Sequence, residues 1–207
     1  MEDLHILGKK CTFVVGNLYD MTTLYIVRHG QTEENQQHIL QGHLPGVLTE
    51  EGRRQVEQAA ARLAEEEGRM VGGEGKRFRC VVCSDLQRAV DSARIIAGRL
   101  QLQVCPMELL RERDWGRFTG MAIAEAVERY RVDGRWMFPA GSVESDEALS
   151  SRATCVLETL GRTYAGDSLV VVTHGLFARH LVAAALGCSY REVTPFQNAE
   201  IRKLDIR

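Results

Sequence analysis

Apolar residues along the chain fall into short β-branched runs separated by stretches of helical period. Leu24 to Val27 is the first run, and it stops at Arg28-His29-Gly30, which predicts a buried strand delivering its last residues into a loop. From Thr49 the period changes: Val56, Ala59, Ala60 and Leu63 recur at helical spacing, Thr49 suits an N-cap, and Glu50 and Glu51 favour the positive helix end. The pattern predicts an amphipathic helix to about Glu67, then a surface connection over Gly68 to Lys76, which holds four glycines. Cys80 to Cys83 reads as a second strand, with Ser84 or Asp85 capping a helix that carries Ala89, Ala93, Ile96, Ala97 and Leu100 on one face. Leu102 to Cys105 is a third short strand, and Met121 to Tyr130 a short helix leading into an irregular stretch around Trp136-Met137-Phe138-Pro139. A further helix from Ser145 turns Leu149, Ala153, Val156, Leu160 and Tyr164 inward and ends at Gly166. Ser168 to Thr173 is the clearest strand, and Gly175 opens a last helix that runs through Leu186 to Gly187.

Strands alternating with helices define an α/β fold, a three-layer α/β/α sandwich with a mostly parallel central sheet covered on both faces. A chain of 207 residues suits one such domain, expected over 22–207. Residues 1–21 read as an appendage, because Met21 is followed at once by the first strand, and Cys11 to Val15 is too short for the apolar core of a secretory signal. Ligands of open α/β sheets bind outside the carboxyl ends of the strands. Arg28-His29-Gly30, Ser84-Asp85-Leu86-Gln87-Arg88 and Thr173-His174-Gly175 all follow apolar strands directly, so two histidines and two arginines are expected on one edge of the sheet.

Composition narrows the partners. The chain is 44% hydrophobic and 26% charged with a net charge of -2, which exerts no strong pull toward nucleic acid or membrane. No apolar run approaches the roughly 18 to 20 residues that span a bilayer. Six cysteines, Cys11, Cys80, Cys83, Cys105, Cys155 and Cys188, are scattered mostly among apolar neighbours, as expected for buried thiols in a reducing, cytoplasmic setting. Cys80 and Cys83 form a C-x-x-C, but residues three apart in a strand point to opposite faces, so core packing rather than a metal or redox pair is expected.

Converging arginines supply forked, permanently charged donors for an anion such as phosphate or carboxylate. An imidazole among them can attack phosphorus and carry the phosphoryl group covalently, while Arg28, Arg88 and a second histidine hold the equatorial oxygens. That chemistry requires no metal and no cofactor. The leaving alkoxide needs a proton, for which Glu112 in Arg111-Glu112-Arg113-Asp114-Trp115-Gly116 is the candidate acid. Each residue also has a plainer reading: His29 as a loop histidine, Arg88 as a surface partner of Asp85 or Asp91, Glu112 as an ion-pair member, Asn35 as a cap.

Leu24-Tyr25-Ile26-Val27-Arg28-His29-Gly30-Gln31-Thr32-Glu33-Glu34-Asn35 resembles the signature of the histidine phosphatase superfamily, phosphoglycerate mutase-like branch. Gln41-Gly42 with Leu48-Thr49-Glu50-Glu51-Gly52-Arg53-Arg54-Gln55 is similar to the family's next block, as are Ser84-Asp85-Leu86-Gln87-Arg88-Ala89 and Val172-Thr173-His174-Gly175. Ordered blocks span about Thr23 to Leu186, whereas an isolated Arg-His-Gly would be weak evidence. The resemblance implies that His29 is phosphorylated, that Arg28, Arg88 and His174 complete the phosphate pocket, and that Glu112 donates the proton. It adds phosphate contacts from Asn35 and Gln41 beside Gly42, and a carbonyl near His29 that fixes its tautomer. Ser145, after Glu144, resembles a Glu-Ser pair of relatives, although an N-cap explains the serine equally well.

Within that family the chain looks lean for a mutase, which must return the phosphoryl group to a bound acceptor before water attacks. Ile123 stands about where mutases carry a lysine, Arg129, Arg131 and Arg135 are not a tandem pair, and Trp115 replaces a tyrosine. Hydrolysis of a small phosphorylated metabolite is therefore favoured over mutase action, and over a catalytically silent phosphate-binding module, which would have shed His29, Arg28 or His174. The segment over 129–144 is expected to form a lid whose Trp136, Phe138 and Pro139 wall the substrate. A homodimer stays open.

Overall fold

The computed structural model describes residues 21–73, 77–133 and 135–207, so the expected appendage lies outside the described residues apart from Met21. In chain order the elements are β1 (Thr22–Arg28), α1 (Glu33–Gln36), α2 (Glu50–Gly72), β2 (Phe78–Cys83), α3 (Gln87–Leu100) and β3 (Val104–Pro106). There follow α4 (Ile123–Tyr130), β4 (Arg131–Val132), β5 (Arg135–Trp136), α5 (Asp146–Thr163), β6 (Ser168–Thr173), α6 (Gly175–Leu186) and β7 (Ile201–Ile206).

Among the described residues five strands form the central sheet in the order β3-β2-β6-β1-β7. β1, β2, β3 and β6 are parallel, and β7 lies antiparallel on the β1 edge. Alternation across the pleat sends successive side chains into two separate cores. Leu24, Ile26, Val82, Leu169 and Val171 pack with Leu149, Val156 and Leu160 of α5 and Phe177 and Leu181 of α6. Tyr25, Val27, Val81, Val170 and Val172 pack on the other face with Val56 and Leu63 of α2 and Ala89 and Ile96 of α3. The expected α/β/α layering follows directly. Cys80 and Cys83 enter opposite cores and both are free thiols, as their three-residue spacing required.

Several local expectations need correction. α2 continues through Gly68 to Gly72 instead of ending near Glu67. Its last turns are anchored by Glu67, whose carboxylate accepts from the Phe78 N–H at 3.0 Å, and by Glu66, which takes the Tyr25 hydroxyl at 3.1 Å. The rest of the proposed connection, residues 74–76, lies outside the described residues. Neither Ser84 nor Asp85 caps α3: its N-cap is Leu86, Ser84 Oγ accepts from the Leu86 N–H, and Asp85 is taken by Arg111. The cysteines are not uniformly buried, since Cys155 is exposed and Cys105 and Cys188 are half-buried. β7 carries too little buried apolar surface to stand out, with Leu204 and Ile206 its only buried side chains.

A third, smaller apolar cluster lies over the carboxyl edge, where Leu40, Trp115, Phe118 and Ala126 are joined by Tyr130, Trp136 and Phe138. Pairing of β4 with β5 returns the chain so that Phe138 lies tilted with its ring centre 4.7 Å from that of Phe118 and Trp136 sits 5.9 Å from Trp115. Among the described residues no helix is long and apolar enough to cross a membrane.

Candidate active site

β6 lies between β1 and β2, so the ends of these three parallel strands are adjacent. The His29 N–H donates to the Thr173 carbonyl at 2.9 Å, and the Ser84 N–H to Val172 at 2.9 Å. This stitching brings Arg28, His29, His174 and the first turn of α3 to one place.

His29 is 3% exposed, and its Nδ1 lies 2.7 Å from the Gly30 carbonyl oxygen. A carbonyl can only accept, so Nδ1 carries the proton and Nε2 keeps its lone pair. Arg88 Nε donates to that Nε2 at 3.2 Å. Burial, reinforced by Arg88 and Arg28, holds the His29 pKa well below the ordinary histidine value, so the ring is neutral at pH 7.

The loop after β1 is clamped by close backbone approach. A Cβ on Gly30 would meet the Gly52 carbonyl oxygen at 2.4 Å, and one on Gly52 would meet the Gln31 carbonyl oxygen at 2.0 Å, so α2 seats its first turn directly on the His29 loop. The Gly30 N–H donates to Ser92 Oγ at 3.1 Å, one turn beyond Arg88 in α3. Asn198 Nδ2 donates to the His29 carbonyl and to Asn35 Oδ1, both at 3.2 Å. Ser92 and Asn198 escaped the sequence reading because one looks like a helix-face serine and the other precedes an unremarked edge strand.

Arg88 is 1% exposed and its guanidinium is held by the Gly42 carbonyl at 2.8 Å and by the Leu44 carbonyl. The plainer reading of Arg88 as a surface partner of Asp85 or Asp91 does not hold, since those carboxylates bind Arg111 and Gln87. Burial lowers the Arg88 pKa to about 10, which leaves it charged at pH 7. Arg28 donates from one terminal nitrogen to the Phe196 carbonyl at 2.7 Å and lies against α6, where a Cβ on Gly175 would sit 3.2 Å from its Nε.

His174 occupies the N-cap position of α6, fully buried, with its ring centroid 5.2 Å from that of His29. Neither of its ring nitrogens nor Arg28 Nε has a hydrogen-bond partner among the described residues. Burial, then Arg88 and His29, hold the His174 pKa well below the ordinary value. An unsatisfied buried polar group costs about 1–3 kcal/mol. The cluster suits an anion with several acceptor oxygens.

Glu112 faces the same helix end. Its Oε1 accepts from the N–H groups of Arg113 at 2.9 Å and Phe177 at 3.1 Å, and Oε2 from Leu176 at 3.1 Å. Its flanking arginines are engaged elsewhere, Arg111 with Asp85 and Glu108, Arg113 with Asp146. Asn35 completes a capping box with Thr32 at the start of α1. Gln41 Nε2 donates to Thr32 Oγ1, while Gly42, at φ +48°, turns its carbonyl to Arg88. His180 of α6 is buried, and Ser145 caps α5 through the Ala148 N–H at 3.1 Å. No group of three or more metal-ligating side chains occurs among the described residues.

Residues 24–207 match the family model of the Histidine phosphatase superfamily (branch 1). The chain belongs to this superfamily. It is 33% identical over 191 residues to phosphoglycerate mutase-like protein 4 of Arabidopsis thaliana, covering 88% of this chain and 78% of that protein. It is 31% identical over 168 residues to the metal-independent phosphoserine phosphatase of the same plant, covering 75% and 65%. The chain spans only 44% of the length of a bifunctional protein of Mycobacterium tuberculosis that it also matches. Among solved structures, the mycobacterial glucosyl-3-phosphoglycerate phosphatase in complex with VO3 superposes with a TM-score of 0.72 at 27% identity, covering 87% of this chain and 91% of that one. Two of these relatives are named as phosphatases, one of phosphoserine and one of glucosyl-3-phosphoglycerate, and the second shares the fold described above.

Proposed function

We propose that the protein is a metal-independent phosphatase that hydrolyses a small phosphomonoester through a covalent phosphohistidine on His29. The observation that carries this reading is the hydrogen bond from His29 Nδ1 to the Gly30 carbonyl, which leaves Nε2 as a neutral nucleophile among Arg28, Arg88 and His174.

In the first step His29 Nε2 forms a bond to phosphorus as the ester P–O bond breaks, and Glu112 gives its proton to the departing alkoxide. Arg28, Arg88 and His174 stabilise the equatorial oxygens, with Asn35 and Gln41 at the pocket margin. In the second step water attacks the phosphohistidine, the P–N bond breaks back to neutral His29, and the Glu112 carboxylate takes the water's proton. The segment over 129–144 acts as the lid of a single domain, its Trp136 and Phe138 walling the leaving group. The names of two relatives, a phosphoserine phosphatase and a glucosyl-3-phosphoglycerate phosphatase, support hydrolysis, and the thiols of Cys80, Cys83, Cys105 and Cys155 support a cytoplasmic setting.

Phosphate release from a panel of phosphomonoesters in excess EDTA, with the natural chain beside His29→Ala, tests the proposal. Turnover that survives chelation and falls to background in the variant supports it; turnover that needs a metal, or persists without His29, overturns it.

A further inference from the structure

Glu112 lies between the buried Leu110 and Arg113, on a stretch whose neighbouring residues line a cleft. A cleft of about 530 Å³ opens on its outer side, lined by His43, Arg111, Asp114, Ser142, Glu144 and Arg152. Backbone carbonyls that face such a cleft are not fixed by core packing, so polar contacts must hold them.

Arg152 of α5 provides those contacts. One of its terminal nitrogens donates to the carbonyls of Leu109 at 2.8 Å and Arg111 at 2.7 Å, and the other reaches the Glu112 carbonyl at 3.4 Å. The guanidinium is itself fixed by Glu144 through a forked pair, Nε to Oε1 at 2.9 Å and the terminal nitrogen to Oε2 at 2.8 Å. Its carbon also lies 4.2 Å from the centre of the Phe177 ring, on the residue whose N–H binds the Glu112 carboxylate. One side chain thus holds both the backbone of the Glu112 loop and the helix end that orients its carboxylate. His43, 3.0 Å from the same Glu112 carbonyl, approaches from the other segment lining the cleft.

We infer that Arg152, held by Glu144, is a positioning residue for the proton donor Glu112. The inference rests on the proposed role of Glu112. Lysine could not replace it, since a single ammonium cannot fork onto Glu144 and reach three carbonyls at once. The hydrogen bonds of Arg152 go to Glu144 and the Glu112 loop and not to His29, Arg28, Arg88 or His174, so its loss should be felt mainly by proton transfer and little by anion binding.

The test compares Arg152→Met and Glu144→Gln with Glu112→Gln, using an aryl ester with a good leaving group (p-nitrophenyl phosphate), an alkyl ester with a poor one (glycerol phosphate), and vanadate inhibition. A misplaced proton donor should lower kcat/KM for the alkyl ester by about 10- to 100-fold, with kcat/KM for the aryl ester and vanadate affinity changed by less than about threefold, because kcat/KM reports departure of the leaving group and not the later hydrolysis of the phosphohistidine, where Glu112 serves both esters alike. Glu112→Gln should show the same selectivity, more strongly. Equal losses on both esters in Arg152→Met while Glu112→Gln stays selective would overturn the role of Arg152. Equal losses in Glu112→Gln would overturn the reading of Glu112 itself. If Arg152→Met does not fold, Glu144→Gln decides by the same two outcomes, because it keeps an acceptor for Arg152 but breaks the ionic fork.

Discussion

The Nε–H of Arg88 points at the lone pair of His29 Nε2, 3.2 Å away. Two N–H donors cannot face each other at that distance, so Arg88 and the Gly30 carbonyl impose the same tautomer from opposite sides of the ring. In the proposed reaction this guanidinium, beside the attacking nitrogen, would also meet the oxygens of a bound phosphate.

Arg88→Ala should therefore weaken vanadate binding by about 10- to 100-fold, the loss of one or two charge-assisted hydrogen bonds. Arg88→Lys should recover only part of this, because one ammonium cannot serve both loop carbonyls and the ligand. Inhibition constants for both variants check it; unchanged affinity would remove Arg88 from the pocket.

Gly52 should tolerate no side chain. A Cβ there would lie 2.0 Å from the Gln31 carbonyl oxygen, backbone that cannot retreat without moving the His29 loop. Gly52→Ala is expected to lower stability by about 1–3 kcal/mol and to lower turnover with it. A denaturant midpoint equal to that of the natural chain would show that the loop yields freely.

Stability should fall in mild acid. His180 is 1% exposed, lies 3.1 Å from Ser150 Oγ through Nδ1, and stacks on Tyr190 at 4.1 Å. Burial lowers its pKa from 6.5 to about 4, against the partly compensating charge of Asp146, with Arg113, Arg179 and Arg152 lowering it further. The unfolded chain takes up the proton below about 6.5 while the folded one holds out to about 4, so stability is complete above the first value and declines toward the second. His180 alone accounts for a loss of about 3 kcal/mol across that window, and His29 and His174 act in the same direction. His180→Phe removes one titrating group and should flatten the pH dependence of denaturant stability; an identical slope would exclude His180.

Much of this architecture is legible in residue order. β1, β2 and β6 are apolar runs that end abruptly in polar residues, and a parallel arrangement then gathers those ends at one edge. His29, Arg88 and His174 are found together for that reason. β7 was not legible, because an edge strand with two buried side chains has no strong alternation to read. Nor was the capping of α3, where Asp85 is drawn to Arg111 across a sequence separation that no local rule measures.

The amino-acid sequence by itself determined the layers, the place of His29, the proposed nucleophile, after the first strand, and the family, since hydrophobic period and contiguous motifs are local properties. Tertiary structure alone decided which ring nitrogen of His29 is free, that Arg88 is buried and not a surface charge, and that Asn198, Ser92 and Arg152 brace the site. Those outcomes depend on hydrogen bonds and desolvation between segments far apart in the chain, which come into being only when the sheet assembles.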